Sequence, residues 1–291
     1  MEVAPKTEIC LPASLPVSII ILTHNQLEYT KLCIESVEKY TPEPYQLILV
    51  DNGSADGTVE YLEAVVAHHF SHRLICNREN LGFAKGCNQG IEEASGDYVL
   101  LLNNDTVVTE GYIEAMIECA KSDARIGIVG PMTNFISGPQ RVRKADYSSL
   151  SKMQDYARAF SYKNRGNWFD LPRITGFAML IKREALEEVG KFDERFGIGC
   201  SEDDDFCFRV YLTGYRAVVC GDCFIHHFGS KTLNNMGIDY HELLRNNMGI
   251  FLDKWKDHRR SLWKFLLRHA GGRLLLKLPG SFLRPKNSRR F

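Results

Sequence analysis

The chain lacks the marks of a membrane-spanning or exported protein. No stretch of its 291 residues approaches the ~18 apolar side chains that a spanning helix needs. Glu2, Lys6 and Glu8 interrupt the N-terminus and no apolar core follows, so no signal peptide is expected. Internal repeats and low-complexity tracts are missing, which excludes solenoids and flexible linkers. No Gly-x-Gly-x-x-Gly follows a strand-like run, and this removes the simplest dinucleotide oxidoreductase reading. Cys220-Gly-Asp-Cys223 has no second cysteine pair of similar spacing, so buried thiols are expected there rather than a zinc ribbon. The 9 cysteines are odd in number and scattered, which points to reduced thiols and a cytoplasmic setting.

The content is that of an ordinary globular protein, 44% hydrophobic and 25% charged, long enough for one large or two small domains. The net charge of zero conceals an asymmetry. Lys254 to Phe291 hold 12 Lys or Arg and one acid, Asp257, which leaves 24 basic and 35 acidic residues elsewhere.

Strand-like and helix-like runs alternate with a period near thirty residues, the pattern of a mainly parallel sheet with crossover helices. Expected strands are Val17 to Thr23, Leu47 to Val50, Arg73 to Cys76, the run through Val99 to Leu102, Ile126 to Val129 and Ile174 to Ile181, closed by Val218-Val219 and Phe224 to His226. Helices are expected over 27–40, up to Ala94, over 110–121 and 182–190, and from Glu202 through Tyr211. Residues 134–170 read as a loop and one helix. The division this suggests is an arm over 1–16, a first half over 17–130, a second over 131–235 and a basic helical extension over 236–291.

Three strands end in polar groups: Thr23-His24-Asn25, Asp51-Asn52 and Asn103-Asn104-Asp105. The carboxyl edge of a parallel sheet is where open α/β proteins bind ligands. Asp105 can hold a hard cation that shares phosphate oxygens of a substrate, and an Asx-rich turn is the plain alternative. Asp51 can accept from a nucleobase imide or cap a turn. Lys85, near the start of a helix, can meet a phosphate or simply be solvated. Glu202-Asp-Asp-Asp205 exceeds what helix capping requires, so one of these carboxylates is a candidate general base. Of His226 and His227, neighbours on a strand, one faces inward; with Asp105 it would make a mixed N/O site suited to Mn²⁺.

These segments resemble family 2 glycosyltransferases of the GT-A fold. The resemblance is carried, in family order over 16–232, by Pro16 to Asn25, Val50-Asp-Asn-Gly-Ser-x-Asp-Gly-Thr58, Asn80-x-Gly-Phe-Ala-Lys-Gly-x-Asn88 and Leu101-Leu-Asn-Asn-Asp105. It continues through Thr175-Gly-Phe177, Glu202-Asp-x-Asp-Phe206 with Arg209, and His226-His-Phe-Gly-Ser230. It implies an α/β GT-A fold and inverting transfer of a sugar from a nucleoside diphosphate, UDP or dTDP, to a glycan or lipid-linked hydroxyl in polysaccharide or glycoconjugate synthesis. It also implies that Thr23, Asn25, Asp51 and Asn52 line the nucleoside pocket, with Asn80, Gly82 and Lys85 near ribose and phosphate. Asp105 would carry Mn²⁺ or Mg²⁺ with Asn103 and Asn104 beside it at the donor, Asp203 would be the base, and Glu202 its partner. His226 would be a further metal or phosphate contact, with His227 in reserve. The family's Asp-x-Asp is here Asn103-Asn104-Asp105, a form associated with deoxysugar donors such as rhamnose, and one carboxylate should hold metal more weakly than two.

In the basic extension, Trp255, Trp263, Phe265 and Leu266 interleave with cations. That face suits either the anionic inner surface of a membrane or docking on the acidic body, and both alternatives stand; its spacing fits a helix rather than a base-stacking platform, so no nucleic-acid partner is expected. Two other functional readings are a GT-A-shaped binding or scaffold protein without turnover, against which the intact acids at 202–205 argue, and a sugar nucleotidyltransferase, whose Gly-rich signature is missing after Thr23.

Overall fold

The β-branched run Val17-Ser-Ile-Ile-Ile-Leu-Thr forms β1 (Val17–Thr23), which is almost wholly buried. Flanked on both faces, it sits within the sheet rather than at an edge. The computed structural model describes residues 16–67, 69–229 and 237–268. The arm over 1–16, apart from Pro16, and the end of the basic extension fall outside the described residues.

Around β1 lie β2 (Gln46–Asn52), β3 (Arg73–Asn77) and β4 (Tyr98–Asn103). After the short β5 (Thr106–Val107) come β6 (Ile126–Met132), β7 (Trp168–Asp170), β8 (Ala178–Lys182) and β9 (Arg216–Phe224), then the short β10 (His226–His227). The main sheet has the order β3-β2-β1-β4-β8-β6-β9-β7. Pairs among β1 to β4 are parallel, whereas β8 runs antiparallel to both β4 and β6. The sheet is therefore mixed but mostly parallel, and the boundary expected at residue 130 falls inside β6. Both halves share this one sheet.

The helices that cross between strands are α1 (Leu27–Tyr40), α2 (Thr58–Val66), α3 (Phe83–Glu93), α4 (Tyr112–Lys121), α5 (Leu150–Asn164), α6 (Arg183–Val189) and α7 (Glu202–Leu212). Alternation along the strands divides the core. Ile20, Ile48, Val50, Val99 and Leu101 face the layer of α3 and α7, while Ile19, Ile21, Leu47, Leu49, Leu100 and Leu102 face the side of α1 and α4. The expected strand over 174–181 begins later, at Ala178, because residues 173–177 turn across the head of α7 instead. The two expected closing strands join into β9.

The last two described helices, Tyr240–Lys254 and Arg259–Arg268, pack on this body. Leu262, Phe265 and Leu266 are buried. The Phe265 ring lies 5.1 Å from that of Phe208 and 5.7 Å from Tyr211, both on α7. The part of this face formed by Leu262, Phe265 and Leu266 docks on the protein body, while Trp263 stays partly exposed. No described helix is long and apolar enough to cross one. Phe265→Ala should cost about 3–5 kcal/mol of stability in denaturant titrations, as truncation of a buried aromatic does. A change within ~0.5 kcal/mol would show that this helix does not dock in solution.

Candidate active site

The polar strand ends converge on one cavity of about 240 Å³, bounded by Thr23, Asn52, Asn80 and Gly82 on one side and by Ser201, Glu202 and Asp203 on the other. Asn103, Asn104, Asp105 and His227 form its floor, with Arg173, Thr175 and Gly176 along the wall.

On the first side, side-chain amides bind backbone and one another. Asn52 Nδ2 donates to the Gly82 carbonyl at 3.1 Å and to Asn80 Oδ1 at 3.3 Å. Asn80 Oδ1 also accepts from the Gly82 N–H at 2.9 Å. Gly82 adopts φ +87° with its α-carbon pressed on the chain opposite: a β-carbon there would lie 2.2 Å from the Gly197 carbonyl oxygen. His24 also lines the cavity, and its Nδ1 lies 2.8 Å from the Asn52 carbonyl. That residue was missed among the sequence candidates, although it stands between Thr23 and Asn25.

Three expected donor contacts are placed otherwise. Asp51 is fully buried outside the cavity lining, and its carboxylate accepts from Thr23 Oγ1 at 2.9 Å, the Ser54 N–H at 2.8 Å and Ser54 Oγ. These donors satisfy it as the frame of the turn. Asn25, with φ 54°, likewise binds the neighbouring loop, taking the Ala55 N–H on Oδ1 at 2.9 Å. Lys85 is exposed and does not line the cavity, because it lies on the outer face of α3.

The floor separates the two histidines that the sequence offers as candidates. β10 pairs antiparallel with β5, setting His227 opposite Thr106 and next to Asp105. His227 Nε2 comes within 3.2 Å of Asp105 Oδ1. His226, one residue out of phase, points the other way and bonds the Tyr147 hydroxyl through Nδ1. Burial and then the charge of His227 push its pKa down to about 4. The sequence carries both histidines but not the phase of the strand.

His227 is held for one purpose. Its ring stacks on Phe177 at 5.0 Å, and its Nδ1 lies 2.9 Å from the Phe135 carbonyl, which can only accept. Nδ1 therefore carries an N–H, which leaves Nε2 facing the Asp105 carboxylate. Among the described residues no three His, Cys, Asp or Glu side chains converge as a metal site. Asp105 and His227 are two side chains that could hold a hard cation if phosphate oxygens and water completed its shell.

The opposite wall is set by the head of α7. Its four acids, Glu202 to Asp205, are all buried. Arg173, two residues before Thr175-Gly-Phe177, was not among the sequence candidates; it places Nη2 2.9 Å from Asp203 Oδ2 and Nε 3.1 Å from Asp204 Oδ1. Asp203 Oδ2 also accepts from the Gly176 N–H at 3.2 Å and Oδ1 from the Asp204 N–H at 2.9 Å. The Arg173 segment is pinned to α7, where the Ile174 N–H donates to Cys207 Sγ at 3.4 Å. Burial opposes the charge of Arg173, but Asp203 and Asp204 outweigh it and hold the guanidinium firmly protonated. Burial pushes Asp204 up to about 6, with Arg173 working against the rise. Glu202 is pushed up to about 8, by burial first and by the charge of Asp203 second.

A sequence profile described as glycosyl transferase family 2 matches residues 18–190, more than half of the chain. The chain belongs to glycosyl transferase family 2. Its relatives include the poly-beta-1,6-N-acetyl-D-glucosamine synthase of Staphylococcus aureus, 28% identical over 204 residues, covering 69% of this chain and 47% of the relative. An uncharacterized Mycobacterium bovis protein is 29% identical over 221 residues, covering 74% and 75%. The chain spans about half the length of the synthase relatives it matches. Among solved structures, S. aureus TarS 1-349 in complex with UDP-GlcNAc superposes with a TM-score of 0.60 at 16% identity, covering 88% of this chain and 72% of that one. A Pyrobaculum calidifontis mannosyltransferase in complex with GDP-Man and Mn²⁺ gives 0.57 at 20% identity, covering 76% and 59%. The GT-A architecture of this family 2 glycosyltransferase is therefore shared with distant members.

The elevated Glu202 has a testable consequence. Its folded pKa of about 8 exceeds the ordinary 4.5, so the folded state holds a proton that the unfolded state releases. Stability from this group is complete below the unfolded value and is lost as pH rises through the folded one. Thermal unfolding of Glu202→Gln should match the parent near the lower pH. The variant should then gain on the parent by about 1.4 kcal/mol per pH unit as pH rises between the two values. A constant gap across that range would show that Glu202 is ionised in the folded protein.

Proposed function

We propose that this chain is an inverting glycosyltransferase that moves a sugar from a nucleoside diphosphate, UDP or dTDP, to a hydroxyl of a glycan or lipid-linked acceptor in polysaccharide or glycoconjugate synthesis. The observation that carries this reading is the oriented carboxylate of Asp203, which lines the same cavity as the Asp105–His227 floor. The synthase relative and the UDP-GlcNAc-bound neighbour favour a UDP-sugar, hexosyl or deoxyhexosyl. The Mn²⁺-bound neighbour favours a divalent cation.

In this mechanism Thr23, Asn52 and Asn80 face the nucleoside end, while Asp51 and Asn25 brace the turn behind them. Asp105 and His227 would hold a divalent cation, which would stabilise the charge that develops on the diphosphate. Asp203 removes the proton of the acceptor hydroxyl as its oxygen attacks the anomeric carbon from the face opposite the diphosphate. The carbon–oxygen bond to the diphosphate breaks, its electron pair leaves with the nucleoside diphosphate, and the configuration inverts. Arg173 and the Gly176 N–H keep the carboxylate aimed throughout, and α7 presents it in the positive field of its N-terminus.

Two measurements test this reading. Thermal unfolding with UDP, dTDP, GDP and CMP should show a shift with UDP or dTDP, since a ligand at ~100 times its Kd adds about 2.7 kcal/mol. Mn²⁺ or Mg²⁺ should enlarge the shift in the parent but not in Asp105→Asn or His227→Ala. Absence of a shift with every nucleotide would return the chain to the scaffold reading. Asp203→Asn should keep the nucleotide shift and lose ~10²–10⁴-fold in turnover, the usual weight of a general base. Near-normal turnover in that variant would remove Asp203 from the mechanism.

A further inference from the structure

A serine immediately before a helix ordinarily accepts a backbone N–H of the first turn on its hydroxyl. Ser201 does not. It precedes α7 with φ 72°, a left-handed conformation uncommon for a non-glycine residue, and makes no side-chain cap bond. Cys200 before it has φ 74°. Two adjacent non-glycine residues held in that region carry strain, and strain that persists is maintained by surrounding structure.

The restraint is visible on two sides. Asn247, buried in the helix Tyr240–Lys254, donates through Nδ2 to the carbonyls of Phe196, Gly199 and Cys200 at 2.8, 2.7 and 2.9 Å. On the other side the Phe83 N–H donates to the Gly197 carbonyl at 3.2 Å, against the tight approach at Gly82. The loop carrying Ser201 is thus clipped to the half of the cavity that begins at Asn52 and Asn80.

The result is a pair of polar atoms without partners. Ser201 Oγ and Glu202 Oε2 are both buried and accept or donate no hydrogen bond within the protein. The residues are 1% and 7% exposed, and both line the cavity. Leaving such atoms unpaired costs free energy, and a ligand that pairs them recovers it.

We propose that Ser201 and Glu202 form a subsite that reads hydroxyl groups of the transferred sugar, with Glu202 acting as a neutral carboxylic acid that donates a hydrogen bond. This rests on the glycosyltransferase reading of the same cavity and adds what discriminates the donor. A hydroxyl both donates and accepts, so a protonated carboxyl beside a serine hydroxyl matches a sugar better than a second carboxylate would. The groups whose fields reach Glu202 are Asp203 and Asp204 on its own helix, Arg173 from the segment before β8, and the thiols of Cys87 on α3 and Cys200. Burial and the two aspartates favour the neutral acid, and only Arg173 among the charged groups opposes it.

The test measures binding without acceptor, by calorimetry of the full chain with Mn²⁺. It compares UDP with UDP-glucose, UDP-galactose and UDP-GlcNAc, and dTDP with dTDP-rhamnose. The readout is the sugar increment, the ratio of the nucleotide Kd to the nucleotide-sugar Kd. At about pH 6.5 at least one sugar should bind about tenfold more tightly than its nucleotide, the weight of one well-made hydrogen bond, and at about pH 9.5 that increment should vanish. Glu202→Gln, which keeps a donor at every pH, should retain the increment at both values. Glu202→Ala should lose it at both, Ser201→Ala should reduce it, and the Kd of the bare nucleotide should move in none of them. An increment that survives Glu202→Ala, or one lost equally in the Gln variant, would overturn the proposal, as would a panel in which no sugar improves on its nucleotide. No turnover enters the measurement, so an error over Asp203 as base would leave it intact. Failure of the nucleotides themselves to bind would sink both readings together.

Discussion

Four acids in the first turn of one helix, all buried, are the constraint around which one side of the cavity is built. Carboxylates withdrawn from water must be neutralised, paired or hydrogen-bonded, and each of these solutions is used. Arg173 takes Asp203 and Asp204. Asp205, further along α7, is clasped by Arg209 at 3.0 Å, by Lys254 at 2.7 Å and by the Trp255 indole N–H at 2.9 Å. Glu202 has no cation of its own and is pushed toward the neutral acid.

This arrangement explains why the C-terminal helices belong to the site rather than beside it. Lys254 joins Asp205 to Asp193, and Asn247 holds the loop that enters α7. The aromatic face of the last described helix lies against the rear of α7, with Phe265 on Phe208. The basic character near residue 254 is thereby explained in part by local neutralisation of buried acid. The helix that carries Asp203 is fixed from the strand side by Arg173 and from the solvent side by this clasp.

The donor half follows a different logic. Its polar groups are amides and hydroxyls that satisfy one another through short bonds among Asn52, Asn77, Asn80 and Gly82. Such a net is neutral and rigid, suited to present hydrogen-bonding edges without a charge of its own. Charge enters at the floor, where Asp105 lies 3.2 Å from His227. The cavity therefore runs from a neutral end past the Asp105–His227 pair to an acidic wall.

Much of this was legible in the residues themselves. Runs such as Ile19-Ile-Ile21 and Leu100-Leu-Leu102 determine buried strands, because no other environment accepts them, and polar residues after each run mark the ligand edge. The acids at 202–205 are too many for a cap, and the ordered motifs from Asn25 to His226 are dense enough to indicate the family. What depended on the tertiary structure was phase and pairing. A one-residue alternation on β10 decides between His226 and His227, since neighbouring strand side chains point to opposite faces. Whether Asp51 shows its carboxylate or buries it depends on Thr23 and Ser54, the first brought beside it only by strand pairing. Arg173 gains its role from a turn laid across a helix 30 residues further along, and the open hydroxyl of Ser201 from a backbone angle held by Asn247. Sequence by itself determined which chemistry this chain can carry, because side-chain type and burial preference are local properties. Which atoms meet was decided by contacts between segments far apart in the chain, and no local pattern encodes those distances.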